Sequence, residues 1–244
     1  MRLVVGRFIP GNSIIHRSSP VSKILSVLIF TISVILSSNY RDYLFLSIIL
    51  IVILLLSKIK TSLYLKGLKN IIFLIAFAVI IQLIYSGIMP AVESTVRIVL
   101  ILLFAEILTF TTRPIDLAHS LEDILKIFGT PLKTRQELSM IMMIAIRFAP
   151  VMLEEVDRIT KSQMARGAKI DSGKLWDRMK SLISITVPLM ASAVRKSEEI
   201  ALAMEVRRFK PGNPRSRYRV YSWGIKEWAL IISAALSIVI VTTF

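Results

Sequence analysis

The sequence predicts an all-α integral membrane protein, with about five transmembrane helices and long amphipathic helices on the cytoplasmic side. Three observations lead there. Hydrophobic residues make up 55% of the 244, with a mean hydropathy of +0.69. Five apolar runs approach the roughly 20 residues that cross a bilayer as helix. The runs lack the period-two alternation of barrel strands, and the basic segment between the last two carries its apolar residues at helical spacing.

The first run is about Val21 to Ser38, followed by a turn of Asn39, Tyr40, Arg41 and Asp42. The second, Tyr43 to Ser57, is short for a span and needs its flanks to complete one. Lys58, Lys60, Lys66 and Lys69 make a basic loop. The third run is about Leu68 to Met89, ending at Pro90, the fourth about Val92 to Thr112, and the last about Ile225 to Thr243. About twenty mixed residues precede the first run and no small-x-small cleavage site follows it, so the N-terminus does not read as a signal peptide. The chain accordingly divides into 1–112, an N-terminal region of four spans; 113–220, a cytoplasmic helical region; and 221–244, a C-terminal span.

Orientation follows from charge. A net charge of +15 would suggest nucleic acid for a soluble protein, but cytoplasmic loops of membrane proteins collect Lys and Arg, and no nucleic-acid partner is expected. The lysine loop is therefore placed inside. The turn after the third run has no Lys or Arg before Arg97 and is placed outside. The N-terminus is then cytoplasmic, and the last span leaves the C-terminus outside a multi-pass cell-membrane protein.

From Arg113 to Lys226 there are 21 Lys or Arg against 12 Asp or Glu. Ile144, Phe148, Met152, Val156, Ile159 and Gln163 step by three or four along one face, with Glu154–Arg158 and Asp157–Lys161 as i,i+4 pairs on the other. Leu189, Ala193, Ser197, Ile200 and Met204 make a second stripe. Gln136 to Arg166 and about Lys174 to Arg207 thus read as long amphipathic helices, kinked by Pro150 and Pro188. A shorter helix, Pro114 to Phe128, precedes them, with Pro in its first turn.

Candidate chemistry is sparse. The absence of Cys rules out thiolate metal sites and a Cys nucleophile. His16 and His119 stand apart, without metal-ligand spacing, and no metal site or cofactor is expected. No phosphate-cradling G-x-x-x-x-G-K-[ST] loop occurs, so no P-loop ATPase activity is expected of this chain. The acidic pairs Glu122–Asp123, Glu154–Glu155 and Glu198–Glu199 read as solvated helix faces, and no catalytic residue is assigned. Arg97 and Glu106 lie inside a span, nine residues apart and not facing each other. A structural role, with Arg97 snorkelling to the outer interface, is favoured over transport chemistry.

Two helix ends are more specific. One reads Gln163-Met164-Ala165-Arg166-Gly167, the other Ala203-Met204-Glu205-Val206-Arg207-Arg208-Phe209. Gly167 suits the left-handed position that closes a helix, which presents Arg166 at a tip. The negative dipole end favours a cation there, and the guanidinium offers a planar fork of donors for a partner's carboxylate or carbonyls. Simple charge complementation of a helix end explains one such Arg well, and a pair somewhat less well. At the second end the stripe leads to Arg207. Arg208 stands where a closing Gly is usual, and Pro211-Gly212 downstream is expected to stop a slightly longer helix.

These residues resemble a family. Gly6-Arg7-Phe8-Ile9-Pro10-Gly11-Asn12-Ser13, with His16-Arg17 and Pro20, is similar to the N-terminal signature of the transmembrane T component of energy-coupling factor transporters, which includes the cobalt-transport permeases. Thr111 to Leu117 resembles the lead-in to its first cytoplasmic helix. Arg147-Phe148-Ala149-Pro150, Leu153-Glu154-Glu155, Asp157-Arg158-Ile159 and Ala165-Arg166-Gly167 resemble its most specific stretch. Ala203-Met204-Glu205 with Arg207 resembles its second Arg motif, where Val206-Arg207-Arg208 departs from the usual Ala-Arg-Gly. The resemblance implies a non-catalytic scaffold for vitamin or metal-ion uptake. Two cytoplasmic ATP-binding-cassette ATPases dock on Ala165, Arg166, Gly167, Val206, Arg207 and Arg208, and a small S component in the bilayer carries the substrate. The alternatives are an ordinary ABC importer permease that binds substrate directly, and an intramembrane enzyme of lipid or prenyl chemistry. The docking loop of the first and the acidic cluster of the second are not found.

Overall fold

The computed structural model describes residues 8–37, 39–168, 175–210 and 224–243. Gly6, Arg7, Lys174, Pro211 and Gly212 lie outside these. Among the described residues the regular elements are helices: α1 (Ile14–Arg17), α2 (Pro20–Leu36), α3 (Tyr40–Ser57), α4 (Thr61–Ser86), α5 (Ile88–Thr111), α6 (Pro114–Ile127), α7 (Leu132–Ala165), α8 (Leu175–Val206) and α9 (Ile225–Thr243). The protein is an all-α membrane protein. Helices α3, α5 and α9 are long and apolar enough to cross a bilayer, and α4 is a bent pair, Thr61–Lys69 and Ile71–Ser86 at 58°, that qualifies as one further span. Helix α2 is apolar but has 17 residues.

Several boundaries differ from expectation for physical reasons. Asn39 and Asp42 form a capping box, with the Asn39 amide donating to Asp42 Oδ2 at 3.2 Å. The expected turn is therefore the first turn of α3, which reaches span length without help. Lys66 and Lys69 lie within α4, so the basic loop shrinks to Lys58–Lys60. Lys is a good helix former, and nothing between Thr61 and Lys69 breaks a helix. The third run ends at Gly87 (φ +89°), not Pro90. Pro90 falls in the first turn of α5, where its missing N–H is not needed.

The chain forms two compact units, Val4–Asp123 with Ser216–Phe244, and Ile124–Arg215. In the first, α2 packs on α9 and α5, α3 on α5 and α9, and α4 on α5. Small residues let α2 and α9 approach closely. Ser33 and Ser237 are both fully buried, with their hydroxyls 2.7 Å apart. Glu227 caps its own helix through the Gly224 amide (2.8 Å) and accepts from the Ser19 amide at the start of α2 (3.3 Å). Phe30 stacks on Phe104 with ring centres 3.7 Å apart.

Of the charged residues of α5, Arg97 and Glu106 are both half-buried. Arg97 reaches to the C-terminal end of α2. Its Nη2 donates to the Ser37 carbonyl (2.9 Å) and to the Tyr43 hydroxyl (2.8 Å), placing the cation on the carbonyl end of α2. Glu106 lies against Gly67 of α4, where a Cβ would overlap its carboxylate. Lys23, which the hydropathy of the first run conceals, is buried and donates to the Thr111 carbonyl (3.1 Å) and Thr112 Oγ1 (3.4 Å).

The N-terminal motif folds onto the same region. The Ile9 amide donates to the Phe110 carbonyl (3.0 Å), and the Arg113 guanidinium lies 5.1 Å from the centre of the Phe8 ring. A carbonyl only accepts, so His16 Nε2 carries the proton donated to Ile9 O (3.0 Å), and Nδ1 accepts from the Ser13 hydroxyl (2.6 Å). A Cβ on Gly11 would come within 2.8 Å of that ring.

In the second unit α7 and α8 pack against each other and run through Pro150 and Pro188 without interruption. The stripe on α7 falls as expected: Ile144 through Gln163 are all half-buried. On α8 the covered positions include Ile185, Leu189, Ser192, Lys196, Ile200 and Met204, while Ala193 and Ser197 are exposed. The true repeat drifts by one residue because 3.6 residues per turn requires steps of three among the fours. Ser192 Oγ donates to Glu155 at 3.5 Å, and Arg158 pairs with Glu155 at 3.4 Å, in place of the expected Glu154.

Candidate functional site: two arginine-capped helix ends

Both Arg motifs close their helices in the same way. Helix α7 ends with Arg166 at the C-cap (φ −87°, ψ 6°) and Gly167 in the left-handed region (φ +88°). The Ala168 amide donates to Gln163 O (3.0 Å) and the Gly167 amide to Met164 O (3.0 Å). This six-to-one and five-to-two pair is the Schellman arrangement. Helix α8 repeats it. The Phe209 amide donates to Met204 O (2.9 Å) and the Arg208 amide to Glu205 O (2.8 Å), with Arg208 at φ +52°.

Arg208 therefore performs the closure itself. The expectation that the helix runs on towards Pro211-Gly212 is overturned, since α8 stops at Val206. Two satisfied carbonyls outweigh the roughly 1–2 kcal/mol that an L-residue loses in the left-handed region. Arg207 then occupies the same cap position as Arg166, with Ala165 and Val206 as the last helical residues. All three arginines are exposed, and among the described residues none forms an ion pair. Each guanidinium stands at the negative end of a long helix, with a planar fork of donors to offer.

Beside the second end are two clefts of about 460 and 280 Å³ that share Ile144, Met204 and Phe209. Phe209 follows the left-handed residue and Met204 supplies the carbonyl it bonds, so the apolar contact usual in this closure also builds the cleft wall. Gln136 and Glu137 line the smaller cleft and Glu205 the larger. Among the described residues no group of three His, Asp or Glu could hold a metal ion.

The pattern of spans, paired caps and N-terminal motif matches a known family. A family profile described as cobalt transport protein (CbiQ) covers residues 11–220. This chain belongs to that family. The match includes both arginine-capped ends, the α2 to α6 region and the later part of the N-terminal motif, from Gly11. Among curated relatives of this family member, the energy-coupling factor transporter transmembrane protein EcfT of Thermotoga maritima is 36% identical over 252 residues, spanning 98% of this chain and 93% of the relative. The EcfT proteins of Bacillus subtilis and Listeria innocua are 32% and 34% identical, spanning 95% and 96% of this chain and 94% and 95% of theirs.

Sequence reasoning missed Lys23 and the closing role of Arg208. A lysine at the fourth residue of an apolar helix was a readable signal for the first. Nothing local announces the second, because a left-handed Arg is rare.

Proposed function

We infer that this chain is the transmembrane T component of an energy-coupling factor importer, a scaffold through which two ATP-binding-cassette ATPases drive substrate release from a membrane S component. The observation carrying this reading is the matched pair of Schellman-closed helices, each holding an exposed arginine at its cap. A Schellman closure fixes the last turn, so each guanidinium is held at a set height on a stiff helix of more than 30 residues. Such a tip suits docking in a partner groove lined by carbonyls or a carboxylate. Helices α7 and α8, cytoplasmic in this reading, pass motion of the ATPases towards the membrane spans that the chain joins to them through α6 and α9. The chain itself supplies no phosphate-binding loop, and nucleotide chemistry falls to the ATPases. The relatives named energy-coupling factor transporter transmembrane protein align with this chain over nearly its whole length, which favours this role over a permease that binds substrate directly.

The test is assembly. Arg166→Ala and Arg207→Ala should each weaken capture of the ATPase pair. A hydrogen bond to a charged group contributes about 1.5–3 kcal/mol. Loss of both should lower affinity on the order of a hundred-fold or more. A complex that assembles and transports with both alanines in place would refute the assignment.

A further inference from the structure

Between the N-terminal motif and the α3–α4 turn lies a cleft of about 490 Å³. Lys58 and Lys60 line it together with Asn12, and Ile9, Ile59 and Leu63 supply apolar wall; none of its lining residues is acidic. Helix α3 ends at Ser57 and α4 begins at Thr61, so the turn joins one helix that qualifies as a span to the bent pair that qualifies as another. Lys58 holds the left-handed conformation (φ 53°, ψ 26°) at the C-cap of α3, a position that glycine or asparagine fills with less strain. An ammonium is thus kept at a site where the backbone alone would favour another residue. Lys60 is the N-cap of α4 and puts no side-chain acceptor on the first turn, leaving the positive end of that helix beside the cleft. The opposite wall is firm, because the Gly11 to His16 segment is held by the imidazole bonds described above.

We propose that this cleft binds the phosphate of an anionic phospholipid, with Lys58 and Lys60 on the phosphate and the apolar wall against the glycerol and first methylenes. Basic pockets at the ends of spans recognise lipid headgroups by this chemistry. A free phosphate would use the same lysines but gain nothing from Ile9, Ile59 and Leu63. The proposal stands apart from the coupling role of α7 and α8.

The test uses the purified full-length chain in neutral detergent, titrated with phosphatidylglycerol, phosphatidylcholine, inorganic phosphate and glycerol 3-phosphate, with retained lipid read by native mass spectrometry. Phosphatidylglycerol should bind and phosphatidylcholine should not. Near-surface attraction contributes about five-fold per lysine, so Lys58→Gly with Lys60→Gln should weaken binding about thirty-fold. Lys66→Gln with Lys69→Gln removes the same charge outside the cleft and should change binding less than two-fold. Lys58→Gly also relieves the left-handed lysine, and Lys58→Asn gives a second variant suited to that conformation; neither should fall below the thermal midpoint of the parent, and Lys58→Gly should rise above it. Equal losses in the two lysine pairs, equal retention of phosphatidylcholine, or displacement of the lipid by millimolar inorganic phosphate or glycerol 3-phosphate would each overturn the proposal.

Discussion

Arg208 shows how one residue can serve a backbone rather than a partner. Its left-handed φ closes α8, a job that needs no side chain, so Arg208→Gly should stabilise the protein by about 1 kcal/mol and still capture the ATPases. Arg207→Ala should leave stability nearly unchanged and lose capture. Thermal unfolding beside pull-down at two salt concentrations separates the two effects; capture that survives in the Arg207 variant and fails in Arg208→Gly would shift the motif by one residue. His16 is the other residue with a measurable consequence. Burial lowers its pKa from 6.5, the Ile9 carbonyl opposes this, and the charge of Lys23 adds to it. The folded state therefore holds the neutral ring. Its stabilisation is present above pH 6.5 and is lost as pH falls through the lowered folded value, because the unfolded chain binds the proton first. The thermal midpoint should drop between pH 7.5 and 5.5, and His16→Gln should flatten that drop.

At the scale of elements, the junction of α2 with α9 depends on contacts between residues some 200 positions apart. Glu227 joins the two helix starts, and removing it strands the Ser19 and Gly224 amides. Glu227→Ala should cost about 2–3 kcal/mol, measured as a fall in the denaturant midpoint. Ser237→Leu should also destabilise, by about 1–3 kcal/mol, since Ser237 is fully buried against Ser33 and a larger side chain has no space. Helix identity was legible in advance because apolar length and helical spacing are local properties. Helix ends were less so. The capping box at Asn39 and Asp42 was visible as residues, but read as a turn, and the stripe on α8 slipped at Ala193, where Ser192 is the covered neighbour.

For the whole molecule, orientation rests on the lysine turn and the basic segment. Single cysteines at Ser62, Ser172 and Thr243 enter a Cys-free background. An impermeant thiol reagent added to intact cells should label position 243 and spare 62 and 172. Strong labelling at Ser172, or none at Thr243, would invert the scheme. The exposed apolar faces, such as Phe73, Phe77, Ile80 and Ile84 of α4, would be an aggregation hazard in water and are ordinary against lipid or another membrane chain.

What the sequence determined alone was the class of the protein, its helices and the pairing of its two arginine ends, because hydropathy, periodicity and short motifs are written along one chain. Tertiary structure decided where the stray charges go. Arg97 is held by the Ser37 carbonyl and the Tyr43 hydroxyl, which come from another part of the chain. Lys23 meets Thr111 and Thr112 only once α2 packs on α5. Arg208 takes a conformation its own propensity disfavours, because two orphan carbonyls at the end of α8 bond the amides that this conformation supplies. Each outcome depends on partners brought together by folding, which no local pattern contains.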